Sequence, residues 1–119
     1  MGRVRHNYKN LKIWMLGLEL AKYVSEILEN FPKNEQYGLT SQISRCSISI
    51  PSNIAEGSAG SDKSFSHYLD VALGSSFELS TQLIIANHKG FINKIQFEKL
   101  ESKIEEWQRM TMGFQNALE

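Results

Sequence analysis

The sequence predicts an all-α fold: an antiparallel up-down four-helix bundle whose second helix is kinked at Pro51. Three observations predict it. Apolar residues recur in the long segments at the three-to-four spacing of helices that bury a face. The connections between those segments are short, which makes an antiparallel arrangement the economical one. No second strand signal exists to pair with the one segment that alternates. The 119 residues amount to a single four-helix-bundle domain, with residues 1–9 expected as a basic tail without fixed structure.

The first helix is expected from near Asn10 to Asn30, and two apolar seams run along it. One is Leu11, Trp14, Leu18, Ala21, Ser25 and Leu28. The other is Ile13, Gly17, Leu20, Val24, Ile27 and Phe31. The polar stripe between them is narrow: Lys12, Glu19, Lys22, Glu26, Glu29 and Lys33. Two seams need more cover than one neighbour gives, which favours a bundle and, beyond it, an oligomer. Phe31-Pro32 ends this helix, because the residue before a proline is pushed out of the α region. Residues 33–38 form the connection, and Thr40 or Ser41 suits the next N-cap.

In the second segment two periods compete. Cys46, Ile48 and Ile50 alternate with Ser47 and Ser49 as a strand would, whereas Leu39, Ile43, Cys46, Ile50 and Ile54 follow a helix. Pro51 argues against a central strand and costs an interior helix about 3 kcal/mol. A lone strand would have no partner, so the segment is a helix kinked at Pro51. Ser47, Ser49 and Ser52 would supply hydroxyls to the carbonyls the proline leaves unpaired. Gly57 suits the C′ position of that helix.

Ser61 or Asp62 would cap a third helix from about Lys63 to His88, with Gly90 just past its end. Its inward seam is Phe65, Leu69, Ala72, Ser76, Leu79, Leu83 and Ala86. Gly74 interrupts it at a cost of about 1 kcal/mol against alanine, which points to close approach by a neighbouring helix. The last helix is expected from about Asn93 onward, with the seam Phe97, Leu100, Ile104, Trp107, Thr111, Phe114 and Leu118.

Composition narrows the function. Hydrophobic residues at 41% and charged residues at 22% are those of a soluble globular protein. Thirteen basic side chains balance thirteen acidic ones, so no global field draws the chain to nucleic acid. The distribution is uneven: residues 1–12 hold Arg3, Arg5, Lys9 and Lys12 with no acid, while the C-terminal stretch is rich in glutamate. A single cysteine, Cys46, excludes an internal disulfide framework and suits a reducing compartment. No apolar run approaches the roughly 20 residues that span a bilayer. The basic start lacks the apolar region of a signal peptide, and His6 stands where myristoylation after Met1-Gly2 needs Ser or Thr. A cytoplasmic protein is the expectation.

Four strings carry a family resemblance: Asn10-Leu11-Lys12-Ile13-Trp14; YGLTSQI-x-R at Tyr37–Arg45; SIPSNIAEG at Ser49–Gly57; and F-x-x-x-L-x-x-A-x-G-S at Phe65–Ser75 with Glu78-Leu79 after it. Over roughly residues 8–95 the chain resembles the four-helix-bundle proteins encoded in intervening sequences of bacterial ribosomal RNA genes. The accessory variability proteins of diversity-generating retroelements are related to these. The resemblance implies a ring-shaped homopentamer that binds nucleic acid, RNA or DNA, or a reverse transcriptase partner. The zero net charge departs from the basic surface of the retroelement branch.

No chemistry stands out beside this. His6, His67 and His88 are widely spaced, and no metal set, cofactor site or catalytic residue is expected. Arg45 precedes Cys46, but consecutive helical residues do not face each other, so Cys46 reads as a small buried side chain rather than a nucleophile. Asn53 and Glu56 share a helix face, either as a polar contact surface or as a buried network or helix-end cap beside Pro51. Arg3, Arg5, Lys9, Lys12 and Lys22 are the candidate phosphate contacts. The expected function is a non-enzymatic homo-oligomeric module that associates with nucleic acid or with a nucleic-acid-processing partner. The alternative is a structural or protein-binding scaffold.

Overall fold

The computed structural model describes residues 5–118, in which four helices make the architecture: α1 (Lys12–Leu28), α2 (Leu39–Gly57), α3 (Asp62–His88) and α4 (Lys94–Leu118). No strand occurs among the described residues. The molecule measures 54 × 24 × 20 Å, a cross-section of two helix diameters each way at about 10–12 Å per helix. Successive helices pack on one another, and α1 closes the ring of contacts against α4.

Cross-helix pairs give the directions. Ser49 meets Ser75, while a Cβ on Gly57, further along α2, would meet Phe65 and Tyr68. Gln108 reaches Ser76 and Gln115 reaches Ser66. Trp107 reaches Ile13 and Lys99 lies over Tyr23. In each pair of helices one number rises as the other falls, so the neighbours run antiparallel.

The two seams of α1 have different fates. Ile13, Gly17, Leu20, Val24 and Ile27 are buried, as is Phe31 beyond the helix end. Leu11, Trp14, Leu18, Ala21 and Leu28 are only half-buried, and Ser25 is exposed. The helix begins two residues later than its pattern suggests. Tyr8–Asn10 instead form a 3-10 turn, with the Asn7 side chain accepting from the Lys9 amide at 3.2 Å.

Residues 5–9, expected to lack fixed structure, lie against the end of the bundle. Arg5 Nε donates to the Ala59 carbonyl at 2.8 Å, and His6 Nε2 meets Asp62 Oδ1 at 3.1 Å. The His6 ring packs edge-on to Phe65 and Phe114 at 5.2 and 5.8 Å. The physical reason is that the α2–α3 turn leaves a carbonyl free for the arginine and an aromatic pair open at the bundle end. Neither follows from local pattern.

The start of α2 also differs from the expected one, with Gly38 at the N-cap position before Leu39. Neither Thr40 nor Ser41 caps it; Glu35, in the 3-10 turn Lys33–Glu35, accepts from the Leu39 amide at 3.4 Å. Along α2 the helical period wins: Ile43, Ile50 and Ile54 are sealed, whereas Ile48 is 55% exposed. Pro51 lies inside the helix and is buried. The serines around it do not mend its missing hydrogen bond. Ser47 Oγ donates to the Ser44 carbonyl and Ser49 Oγ pairs with Ser75 Oγ at 2.9 Å, so both hydroxyls are engaged elsewhere.

Ser61 caps α3, accepting from the Ser64 amide at 3.2 Å, and the whole expected seam of α3 is buried. Gly74 does not mark close approach: a Cβ there would meet nothing within 4 Å. Gly57 does. It is the last residue of α2 rather than a C′ residue, and a Cβ on it would sit 2.7 Å from Tyr68 Cβ and 2.8 Å from Phe65 Cδ1. Gly90 follows α3 at φ +79°, the conformation that ends a helix without a Cβ clash. Asn93 opens α4 with a reciprocal cap. Its Oδ1 accepts from the Gln96 amide at 2.7 Å, and Gln96 Oε1 accepts from the Asn93 amide at 3.2 Å. Trp107, fully enclosed, donates from Nε1 to the Ile13 carbonyl at 2.9 Å and ties α4 to the start of α1.

Candidate nucleic-acid interface

The basic candidates divide into two groups. Arg3 lies outside the described residues. Arg5, Lys9 and Lys12 belong to the stretch that leads through the Tyr8–Asn10 turn into α1. Arg5 is committed to the Ala59 carbonyl, which holds the segment in place. Lys9 and Lys12 are exposed, with Lys9 Nζ 6.0 Å from the Tyr8 ring centroid. The Tyr8 ring in turn packs edge-on to Trp14 at 5.3 Å. The acid-free run therefore has a defined surface under it.

Lys22 stands apart, about 15 Å further along the axis at 1.5 Å per residue. Exposed Glu19 and Glu26 occupy the positions three before and four after it, where helical neighbours meet. Its charge is locally balanced. Lys12 similarly borders a shallow groove it shares with Glu106. Arg5 thus faces the α2–α3 turn, Lys9 the Tyr8 ring and Lys12 the groove with Glu106, while Lys22 lies in a mixed-charge field.

Asn53 and Glu56 also separate. Half-buried Asn53 donates through Nδ2 to the Ser49 carbonyl and to Ser49 Oγ, both at 2.8 Å, joining the Ser49–Ser75 hydroxyl pair between α2 and α3. Glu56 is exposed to solvent. Asn53 belongs to a helix-to-helix network; the two do not form one polar surface.

Two features were not read from the sequence. The first is apolar: the half-covered seam of α1 and the outer face of α2 form a shallow groove lined by Trp14, Leu18, Ala21, Ile48 and Ala55. Beyond Ile48 the same side continues to Leu28 and to Tyr37, which is 91% exposed. Ile48 and Tyr37 are the exposed apolar side chains of this side, and the α1 residues beside them are half-buried. The signal was present in the second seam, but its partner, Ile48, reads as part of the strand-like alternation.

The second feature is polar. Gln42, Arg45, Cys46, Ser49, Ser75, Glu78 and Gln82 line an open cleft of about 440 Å³ between α2 and α3. Burial first, and then the Glu78 carboxylate beside it, push the Cys46 thiol up to about 11. Near neutral pH it is a thiol, not a nucleophile. The cleft needs the α2–α3 register to be seen, since its residues come from two helices about thirty positions apart.

Among the described residues, no helix is long and apolar enough to cross a membrane, and no three His, Cys, Asp or Glu side chains group as a metal site. Comparison with known proteins places the fold. The family model described as 23S rRNA-intervening sequence protein matches residues 9–113. A crystal structure from Bacteroides thetaiotaomicron is similar, with a TM-score of 0.81 at 21% identity, over 87% of this chain and 95% of that one. It is described as a protein of unknown function from the S23 ribosomal protein family. Among curated proteins none matches.

Proposed function

The chain belongs to the 23S rRNA-intervening sequence protein family, and we propose that it acts as a non-enzymatic, homo-oligomeric module that associates with nucleic acid in the cytoplasm. One observation carries the nucleic-acid part. The acid-free N-terminal run is anchored to the bundle by Arg5 and His6 and presents Lys9 and Lys12 from a fixed place. Cations held in position lose less freedom on meeting phosphates than cations on a free tail. Two such lysines are a weak patch in one copy. Several copies in one assembly would multiply it through avidity.

The apolar groove along α1 and α2 supports the assembly. It presents Trp14, Leu18 and Ile48 in a groove, and a second copy that seats a different surface there makes a head-to-tail contact. Such head-to-tail contacts close into rings when the rotation permits. The ring implied by the family resemblance has five copies.

Binding to a structured RNA, measured by fluorescence anisotropy at two salt concentrations, tests the association. The reading predicts binding that weakens steeply with salt and is lost when Arg3, Lys9 and Lys12 are changed to Ala. No binding at low salt would overturn it. A second reading rests on the zero net charge and the balanced field around Lys22: a scaffold that contacts protein alone, such as a reverse transcriptase. It predicts an intact assembly that ignores RNA and captures that protein.

A further inference from the structure

The cleft between α2 and α3 holds opposite charges that do not pair. Arg45 from α2 and Glu78 from α3 both line it, yet neither forms an ion pair among the described residues. The Arg45 guanidinium has only a long 3.5 Å contact from Nη2 to Ser41 Oγ. Glu78 has the Cys46 thiol, a weak donor, as its neighbour. Deeper in the cleft wall, Gln82 is 6% exposed and its Oε1 has no hydrogen-bond partner among the described residues. A buried amide oxygen left unmatched is destabilising, and a native structure that keeps one calls for an explanation. Ser49 and Ser75 satisfy each other and close the other end.

The cleft is therefore lined by a carboxylate as acceptor and a guanidinium as donor, with no net charge, and rotation of the Gln82 amide would turn its enclosed oxygen toward the cleft as a second acceptor. The ligand that answers this needs adjacent N–H donors on one edge, acceptors on the next, and itself no charge. Among the nucleobases only guanine meets all three. Its N1–H and N2–H lie side by side and match a carboxylate, while O6 and N7 match a guanidinium. Adenine turns a ring acceptor beside its amine, and that lone pair would face the carboxylate. Uracil has a single N–H, and cytosine a single amine beside an acceptor.

We infer that this cleft takes an unpaired guanine base. Glu78 accepts from N1 and N2, Arg45 donates to O6 and N7, and Gln82 Oε1, after rotation of its amide, accepts the remaining amine hydrogen. Sugar and phosphate stay in solvent at the cleft mouth. The base comes either from a free nucleotide or from a single-stranded loop or bulge of RNA, where base edges are accessible. This extends the proposed association to one base but does not need the basic segment, so the two readings fail separately.

The test is a titration of the full chain with guanosine and adenosine monophosphates, followed by amide chemical shifts. The two nucleotides share their phosphate, so a difference reports the base. Guanosine monophosphate should bind at least about tenfold more tightly, as one bidentate pair discriminates, and should shift the Gln82 side-chain amide and Ser75. Glu78 is exposed, so Glu78→Gln should fold normally, checked by an unchanged melting temperature, and should abolish the preference. Equal binding of the two nucleotides, or a guanine preference that survives Glu78→Gln, would overturn the inference. An RNA hairpin with one unpaired guanine, against its adenine counterpart, separates the sources. Discrimination in the hairpin as well as in the mononucleotides supports RNA, and discrimination confined to mononucleotides supports a free nucleotide. Discrimination in neither overturns the site.

Discussion

The two seams of α1 are built from similar residues and end in different surroundings. Ile13, Gly17, Leu20, Val24 and Ile27 are sealed by α2 and α4, whereas Trp14, Leu18 and Ala21 border an open groove with Ile48. A four-helix bundle needs one seam per helix for its own core. The second seam of α1 stays half-covered in the single chain, and it is the surface on which the proposed assembly rests.

The sharpest way to break the comparison is to truncate matched leucines. Leu20→Ala should cost about 2–5 kcal/mol in chemical denaturation, because Leu20 is enclosed and its loss leaves a cavity. Leu18→Ala, on the open seam, should cost about 1 kcal/mol, as half-burial of the removed methyl groups implies. Equal losses would mean that both seams serve the monomer.

The glycines extend the contrast to α2 and α3. Gly57→Ala drives a Cβ into Tyr68 and Phe65 and should destabilise by about 1–3 kcal/mol. Gly74→Ala meets open space and should stabilise by about 0.5–1 kcal/mol through helix propensity. Thermal unfolding of the two variants should therefore shift in opposite directions.

The smallest effect concerns Cys46. The native state holds its proton more tightly than an ordinary thiol does, so stability is fully present below pH 9.0 and falls as pH rises toward about 11. Cys46→Ala should flatten that part of the stability curve relative to the wild type. Thiol labelling of the native protein should stay slow through pH 9.

The helices were legible because their seams repeat often enough to outweigh local ambiguity. Even the second helix resolved correctly, since no other segment offers a strand for the alternating Ile48 and serine run to pair with. Asn93 and Gly90 announce a helix start and a helix end by their own chemistry. What could not be read depends on which residues face each other across helices. Gly74 and Gly57 are alike in sequence, and only the packing shows that the neighbour approaches Gly57. The docking of Arg5 on Ala59 joins positions with no shared period. The cleft needs Glu78 and Arg45 placed across two helices, whereas Glu19 and Glu26 beside Lys22 were already legible in the polar stripe of α1.

The central claim is that the open seam of α1 is an interface between copies of this chain. Sedimentation of the wild type and of Leu18→Asp with Ile48→Asp tests it most directly. The account predicts that the wild type sediments at a multiple of 13.6 kDa, and that the double variant sediments as a monomer with unchanged helical circular dichroism. A wild-type chain that stays at 13.6 kDa across micromolar concentrations would contradict it.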